Sequence, residues 1–422
     1  MTELRIIQTS PEAVAPPDGP EGRSPVPTLR RLAILCLIVG VLVIGICILW
    51  AAVTSSPHQF FRSYLLAFAC CANIPLGCLG LLMMSHLTGG AWGLIPRRIY
   101  EAAARSLPWL FVLFIPVLCG LPWLYAFMRP EQVALSETLQ QERGYLNTPF
   151  YVVRSLVYFA LWILLASLLA SWSRRQDESS PEEAERLARR MRVLSGPGLF
   201  FFCLAVSFAA TDWLMILLPE FYSTVFGMLV LVGQGLTAYA FVIVVLGGLS
   251  RCAPFARAVS PKLWHDLGKL LQAFVLLWAY MAFSQLVVSW SGNLPREIRW
   301  YIPRLRTSWF YLGVVLLLGH FALPFFLLLF RALKRRAATL VALAIFLLFM
   351  RLCDQLWLVE PNFHPGGFYL HGLDVLLPIG LLCLWIAAFA YLLSHRLGLP
   401  LAAPGLADAL AHRQPAPGGT LP

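Results

Sequence analysis

Ten ionisable side chains stand inside or at the edges of long apolar runs, and through them this sequence can do chemistry. Asp212 lies toward the end of its run. Arg351 and Asp354 stand three apart in a later one, spaced to share a helix face and neutralise each other. His320 falls near the middle of the preceding run, and Asp374, with His371, opens the last. His86 closes the second run, Asp266 and Lys269 form another three-apart pair where the seventh begins, and Glu220 stands in a short turn. An ionised group at the centre of a lone membrane helix costs on the order of 3 kcal/mol to insert, so such residues are rarely idle. Carboxylates and histidines at these depths fit proton-conducting half-paths or a pocket for a quinone head. Each position also has a structural reading. Arg351–Asp354 reads equally as a buried ion pair, Asp266 as the cap of its helix, and Asp374 as a helix-end residue, whereas Asp212 has no sequence-local partner.

Other chemistries find no support. His320 and His86 invite a haem reading, but their depths differ by roughly a third of the bilayer at about 1.5 Å per residue, and no second pair exists. The 10 cysteines show no C-x-x-C, C-x-x-C-H or ferredoxin spacing, so no covalent haem or iron–sulfur cluster is expected on this chain alone. Nucleotide loops, serine elbows and zinc motifs are missing, and neither Gly89-Gly90 nor Gly247-Gly248 opens a G-x-x-x-x-G-K pattern.

The elements that position these groups follow from composition. With 59% apolar and 13% charged residues in 422, the chain cannot cover a water-facing surface, so lipid is its main solvent. The net charge of +11 comes from short basic clusters between apolar runs, a pattern that orients helices and does not call for nucleic acid. A span needs about 20 apolar residues. That ruler predicts an all-α polytopic protein with ten helices near 32–53, 62–86, 105–127, 150–173, 194–218, 222–249, 267–291, 309–331, 338–359 and 372–394. If the N-terminus is cytoplasmic, 23 of the 32 Lys and Arg residues fall on that side, which places both termini in the cytoplasm. Trp92, Trp109, Trp300 and Tyr301 read as interfacial belt. Residues 1–30 and 398–422, rich in Pro, Ala and Gly, read as disordered ends around a membrane domain at 31–397. In the loop after the fourth helix, Ser180-Pro181-Glu182-Glu183 starts a short helix, read as solvated and lying on the membrane surface or a neighbouring subunit.

A weak repeat groups the helices. Asp212, Pro219 and Phe221 recur at the same offsets as Asp354, Pro361 and Phe363, and Leu87-Thr88-Gly89-Gly90 resembles Val245-Leu246-Gly247-Gly248. The repeat predicts two four-helix bundles, 62–173 plus 194–218 and 222–359, with helices one and ten flanking them.

At this point the residues resemble a family. The run Ser207-Phe208-Ala209-Ala210-Thr211-Asp212-Trp213-Leu214-Met215, then Pro219 and Tyr222-Ser223-Thr224, looks like a signature of NrfD-type quinol-interacting membrane subunits. Within them it is most similar to the F-subunit branch of bacterial alternative complex III, a quinol:electron-acceptor oxidoreductase. His86 to Gly93, Tyr145 to Phe150 with Arg154, His265 to Leu271, Trp278 to Gln285, His320 to Phe325, and Asp354 with Trp357 and Pro361 continue the pattern in order. The resemblance implies a bacterial inner-membrane subunit, not catalytic alone, that supports quinol oxidation and offers a proton path. It implies three kinds of partner: a paralogous NrfD-type subunit, an iron–sulfur subunit and c-type cytochromes. No cofactor is expected on this chain alone beyond a quinone or quinol. Asp212, Asp354, His86, Asp266, Lys269 and His320 fall on matched positions. The sequence departs from the pattern at Leu218, where an acidic residue usually precedes the proline, and at Ile216, with Glu220 as a displaced replacement. A secondary transporter with an intramembrane charged site is the alternative reading, although such sites usually interrupt a helix near the midplane.

Overall fold

The computed structural model describes residues 24–406. The described chain is helical with no strand, and ten of its helices are long and apolar enough to cross a membrane. In chain order they are α1 (Val26–Val53), α2 (Pro57–Thr88), α3 (Arg97–Cys119), α4 (Thr148–Asp177), α5 (Pro181–Leu217), α6 (Thr224–Leu249), α7 (Pro261–Gly292), α8 (Trp309–Leu329), α9 (Ala337–Asn362) and α10 (Gly372–His395). Five of them start at a side-chain cap, from Asn147, Ser180, Ser223, Ser260 and His371, which satisfies amide groups that have no intrahelical partner.

The helices pack around α2 and α6. α2 is buried along nearly its whole length and touches α3, α5, α6 and α10. α6, its counterpart in the repeat, is the next most buried and touches α5, α7 and α9 as well. The α2–α6 crossing is close because Gly77 has no side chain. A Cβ there would lie 2.2 Å from the Gln234 carbonyl oxygen and 2.6 Å from the Ala238 Cβ. α1 packs chiefly on α10 and turns leucines, isoleucines and valines outward, such as Ile34, Leu42 and Leu49. That exposure suits a helix whose other face is lipid.

Several sequence expectations need correction. The segment after Ser180 is not a separate surface helix. It runs unbroken to Trp213 as the start of α5, burying Ala184, Leu187 and Met191, and Met191 Sδ lies 3.3 Å from Arg97 Nη2. Its N-cap is as expected, with the Ser180 side chain accepting from the Glu183 amide. The third span starts earlier and ends earlier than 105–127, because the polar-looking turn Arg97–Ala104 is wholly buried and helical. Asp266 does not cap α7; Ser260 does. The ends expected to be disordered lie mostly outside the described residues, but residues 398–406 form turns in which Ala403 and Leu406 are buried.

Candidate functional site

Two of the expected residues meet on α9, and a third faces them from α8. Arg351 and Asp354 lie one turn apart on α9, both buried, with Arg351 Nη1 paired to Asp354 Oδ2. Arg351 also donates from Nε to Thr237 Oγ1 on α6 at 3.0 Å. It fits only because the facing residue is Gly233, where a Cβ would stand 2.4 Å from Arg351 Nη2. His320 is fully buried on a π-helical turn, Leu316–Ala322, with its ring 3.9 Å from that of Trp278 on α7. Such turns are rare and concentrate at functional positions. Neither ring nitrogen of His320 has a hydrogen-bond partner.

Of these residues, Asp354 and Trp278 reach the wall of a cavity of about 650 Å³ between α7, α8, α9 and the short helix Pro295–Arg306, whereas Arg351 and His320 do not line it. Asp354, Trp278, Gln285, Arg304 and Trp357 line its deep side. Its mouth is apolar, with Phe283, Phe310 and Leu317 facing outward. Arg304 is buried and donates to the carbonyls of Trp300, Trp357 and Leu358 at 2.6, 3.2 and 2.7 Å, while its guanidinium lies 3.5 Å over the Trp300 ring. Burial lowers the pKa of this guanidinium, and the oxygens around it stabilise the charged form. Three donors on the lining have no hydrogen-bond partner, Trp278 Nε1, Gln285 Nε2 and Trp357 Nε1, and the Gln285 oxygen is already taken by Ser223 Oγ at 2.6 Å. Unpaired buried donors cost free energy, so the wall is suited to a molecule that brings acceptors.

Asp212 has a different setting. It is fully buried on α5 and accepts four hydrogen bonds. Arg154 donates from Nε and Nη2 at 2.9 Å each, Tyr158 at 2.8 Å and Tyr145 at 3.0 Å. The Arg154 guanidinium is sandwiched over Tyr145 and Phe150, at 3.7 and 4.4 Å from the ring centroids. Burial and the neighbouring Asp212 charge push the Tyr145 hydroxyl up to about 12, so it stays a donor. A cavity of about 430 Å³ lies nearby, lined by Tyr145, Thr211 and Met215, but Asp212 is not part of its wall.

The remaining candidates are scattered. Asp374 closes a capping box with His371 and accepts from Gln59 and Ser63 of α2. Asp266 and Lys269 are exposed, 3.5 Å apart. Glu220, in the turn before α6, pairs with Arg299 of the short helix Pro295–Arg306. His86 lies near Arg97 and Arg192, whereas His320 packs against Trp278. Arg154 and Tyr158 carried a signal, since residues four apart share a helix face and can reach one target. Nothing in the sequence separates Arg304 from Arg296, Arg299 and Arg306 in the same loop. No family model matches the chain, and no curated protein is significantly similar to it.

Proposed function

We propose that this chain is a membrane subunit of a quinol:electron-acceptor oxidoreductase of the alternative complex III kind, and that its second bundle seats the quinol head. The observation that carries the reading is the cavity of about 650 Å³, apolar at its mouth and ending in unpaired donors and a carboxylate. Pockets of this size suit a single ring with part of an apolar tail. Gln285 Nε2 and Trp357 Nε1 would donate to the ring oxygens. Asp354 would accept from a hydroxyl of the reduced form and take its proton on oxidation, while Arg351 holds the carboxylate in place. The electrons would leave to an iron–sulfur subunit and c-type cytochromes, with a paralogous membrane subunit alongside. The basic clusters support a bacterial inner-membrane setting with both termini cytoplasmic.

The test is to purify the assembly from native membranes and irradiate it with a photoactivatable quinone. The expected result is c-haem and iron–sulfur signals in the same particle, with label on α7, α8 or α9. Label confined to other subunits overturns the assignment of the site. A chain that purifies alone and moves a solute overturns the oxidoreductase reading in favour of a transporter.

A further inference from the structure

At the membrane end opposite the described chain ends, Glu360 closes α9 with a fully buried side chain whose two carboxylate oxygens have no hydrogen-bond partner. The buried carboxylates Asp212, Glu101 and Asp374 are all supplied with donors. An ionised carboxylate without donors is costly to keep out of water, by several kcal/mol. One proton removes that charge and supplies a donor. His364 Nε2, one turn on, lies 3.9 Å from Glu360 Oε2 and is also unpartnered. A shift of about 1 Å would bring them to hydrogen-bond distance. The His364 side chain is 23% exposed, so it touches both the buried acid and water. Its backbone is held by Trp309, whose indole donates to the His364 carbonyl at 2.9 Å, and its ring packs 4.5 Å from Tyr369.

The neighbours leave these two groups to each other. From α2, Arg62 lies within electrostatic range of both, its guanidinium 4.9 Å from the Phe363 ring, with His58 and Arg129 beyond it. From α10, Asp374 is near, but its oxygens are occupied by Gln59, Ser63 and the His371 amide. A metal cation is disfavoured by Arg62 and by the single free carboxylate. Burial and the Arg62 charge hold the His364 imidazole below its usual range, so at neutral pH the ring is a neutral acceptor.

We propose that Glu360 and His364 form a proton-exchange site, in which the Glu360 carboxyl gives its proton to His364 Nε2 and the imidazolium passes it to water. Uptake reverses the two steps. The site does not depend on the quinol reading, because Glu360 does not line the cavity. The repeat sharpens its position: the register that matches Asp212 with Asp354 matches Leu218-Pro219 with Glu360-Pro361, so only the second copy carries this acid.

The experiment is infrared difference spectroscopy on the full chain in lipid nanodiscs. At neutral pH a protonated carboxyl band is expected, lost in Glu360→Gln and titrating away as pH rises. Its deuterium exchange is expected to slow by about tenfold or more in His364→Phe, which keeps a ring against Tyr369. Growth of the unsubstituted protein on carbon-13 glutamate gives a second assignment that needs no variant. A band that survives in Glu360→Gln, or does not move with the isotope, overturns the protonated acid; exchange equally fast in His364→Phe overturns the relay.

Discussion

Asp212 and Asp354 hold equivalent places in the repeat, near the ends of α5 and α9, yet their surroundings are opposed. Asp212 is closed: four donors from Arg154, Tyr145 and Tyr158 fill its two oxygens. Asp354 is open: its cation comes from its own helix one turn back, and its other side is the wall of a large cavity. A carboxylate whose lone pairs are all used binds helices together and has little capacity left for a proton or ligand. One with a free side can serve both. The same residue type therefore acts as a clamp on α5 and as a candidate reactive group on α9.

The contrast can be broken most forcefully at Arg154. Arg154→Met leaves a buried, uncompensated Asp212, and the expected loss is about 3–5 kcal/mol, read as a lowered unfolding midpoint in lipid nanodiscs. An unchanged midpoint would mean that Asp212 is not held by charge. Asp354→Asn should weaken quinone binding about tenfold, or about 1.4 kcal/mol, in a direct titration, whereas Asp212→Asn should leave that affinity alone. Equal effects from the two variants would erase the distinction. Gln285→Leu removes one unpaired donor from the cavity, with an expected several-fold loss of affinity, about 1 kcal/mol. Tyr145 gives a pH test of the closed site. Its folded pKa is raised, so its contribution is complete below the ordinary tyrosine range and is lost as pH rises through about 12. Ultraviolet difference titration of Tyr145→Phe against the parent protein should show the loss of one tyrosine that ionises near 12. Last, Lys269→Ala breaks an exposed pair and should change stability by no more than about 0.5 kcal/mol in the same unfolding assay.

Much of the frame was legible in the sequence because spanning a bilayer is a local requirement. About 20 apolar residues announce a helix whatever packs against it. The errors came where polarity was buried by distant partners. Arg97, Arg98 and Glu101 look like a loop, but they neutralise one another and Asp177 inside the protein. The candidate site was half legible. Arg351 and Asp354 are neighbours in sequence, and His320 stood out as a lone histidine at mid-depth. The cage around Asp212 was hidden because Arg154 lies 58 residues away, and pairing at that range depends on packing that spacing alone does not encode. Gln285, Trp357 and Arg304 become a lining only when α7, α9 and the short helix between α7 and α8 close around one space. Glu360 reads as an ordinary helix-end acid until its burial is known.

The enclosure of α2 has a consequence for how the chain is made. Ser63 and Gln59, near its start, bond to Asp374, which follows 311 and 315 residues later. During synthesis these groups must enter the membrane without their final acceptor, and the α2 face that later meets α10 must wait against lipid or water. α2 is thus completed only by α10, so this part of the molecule cannot finish folding until α10 has been made. A ribosome stalled before α10 would hold an intermediate with an open seam, the state most exposed to membrane quality control.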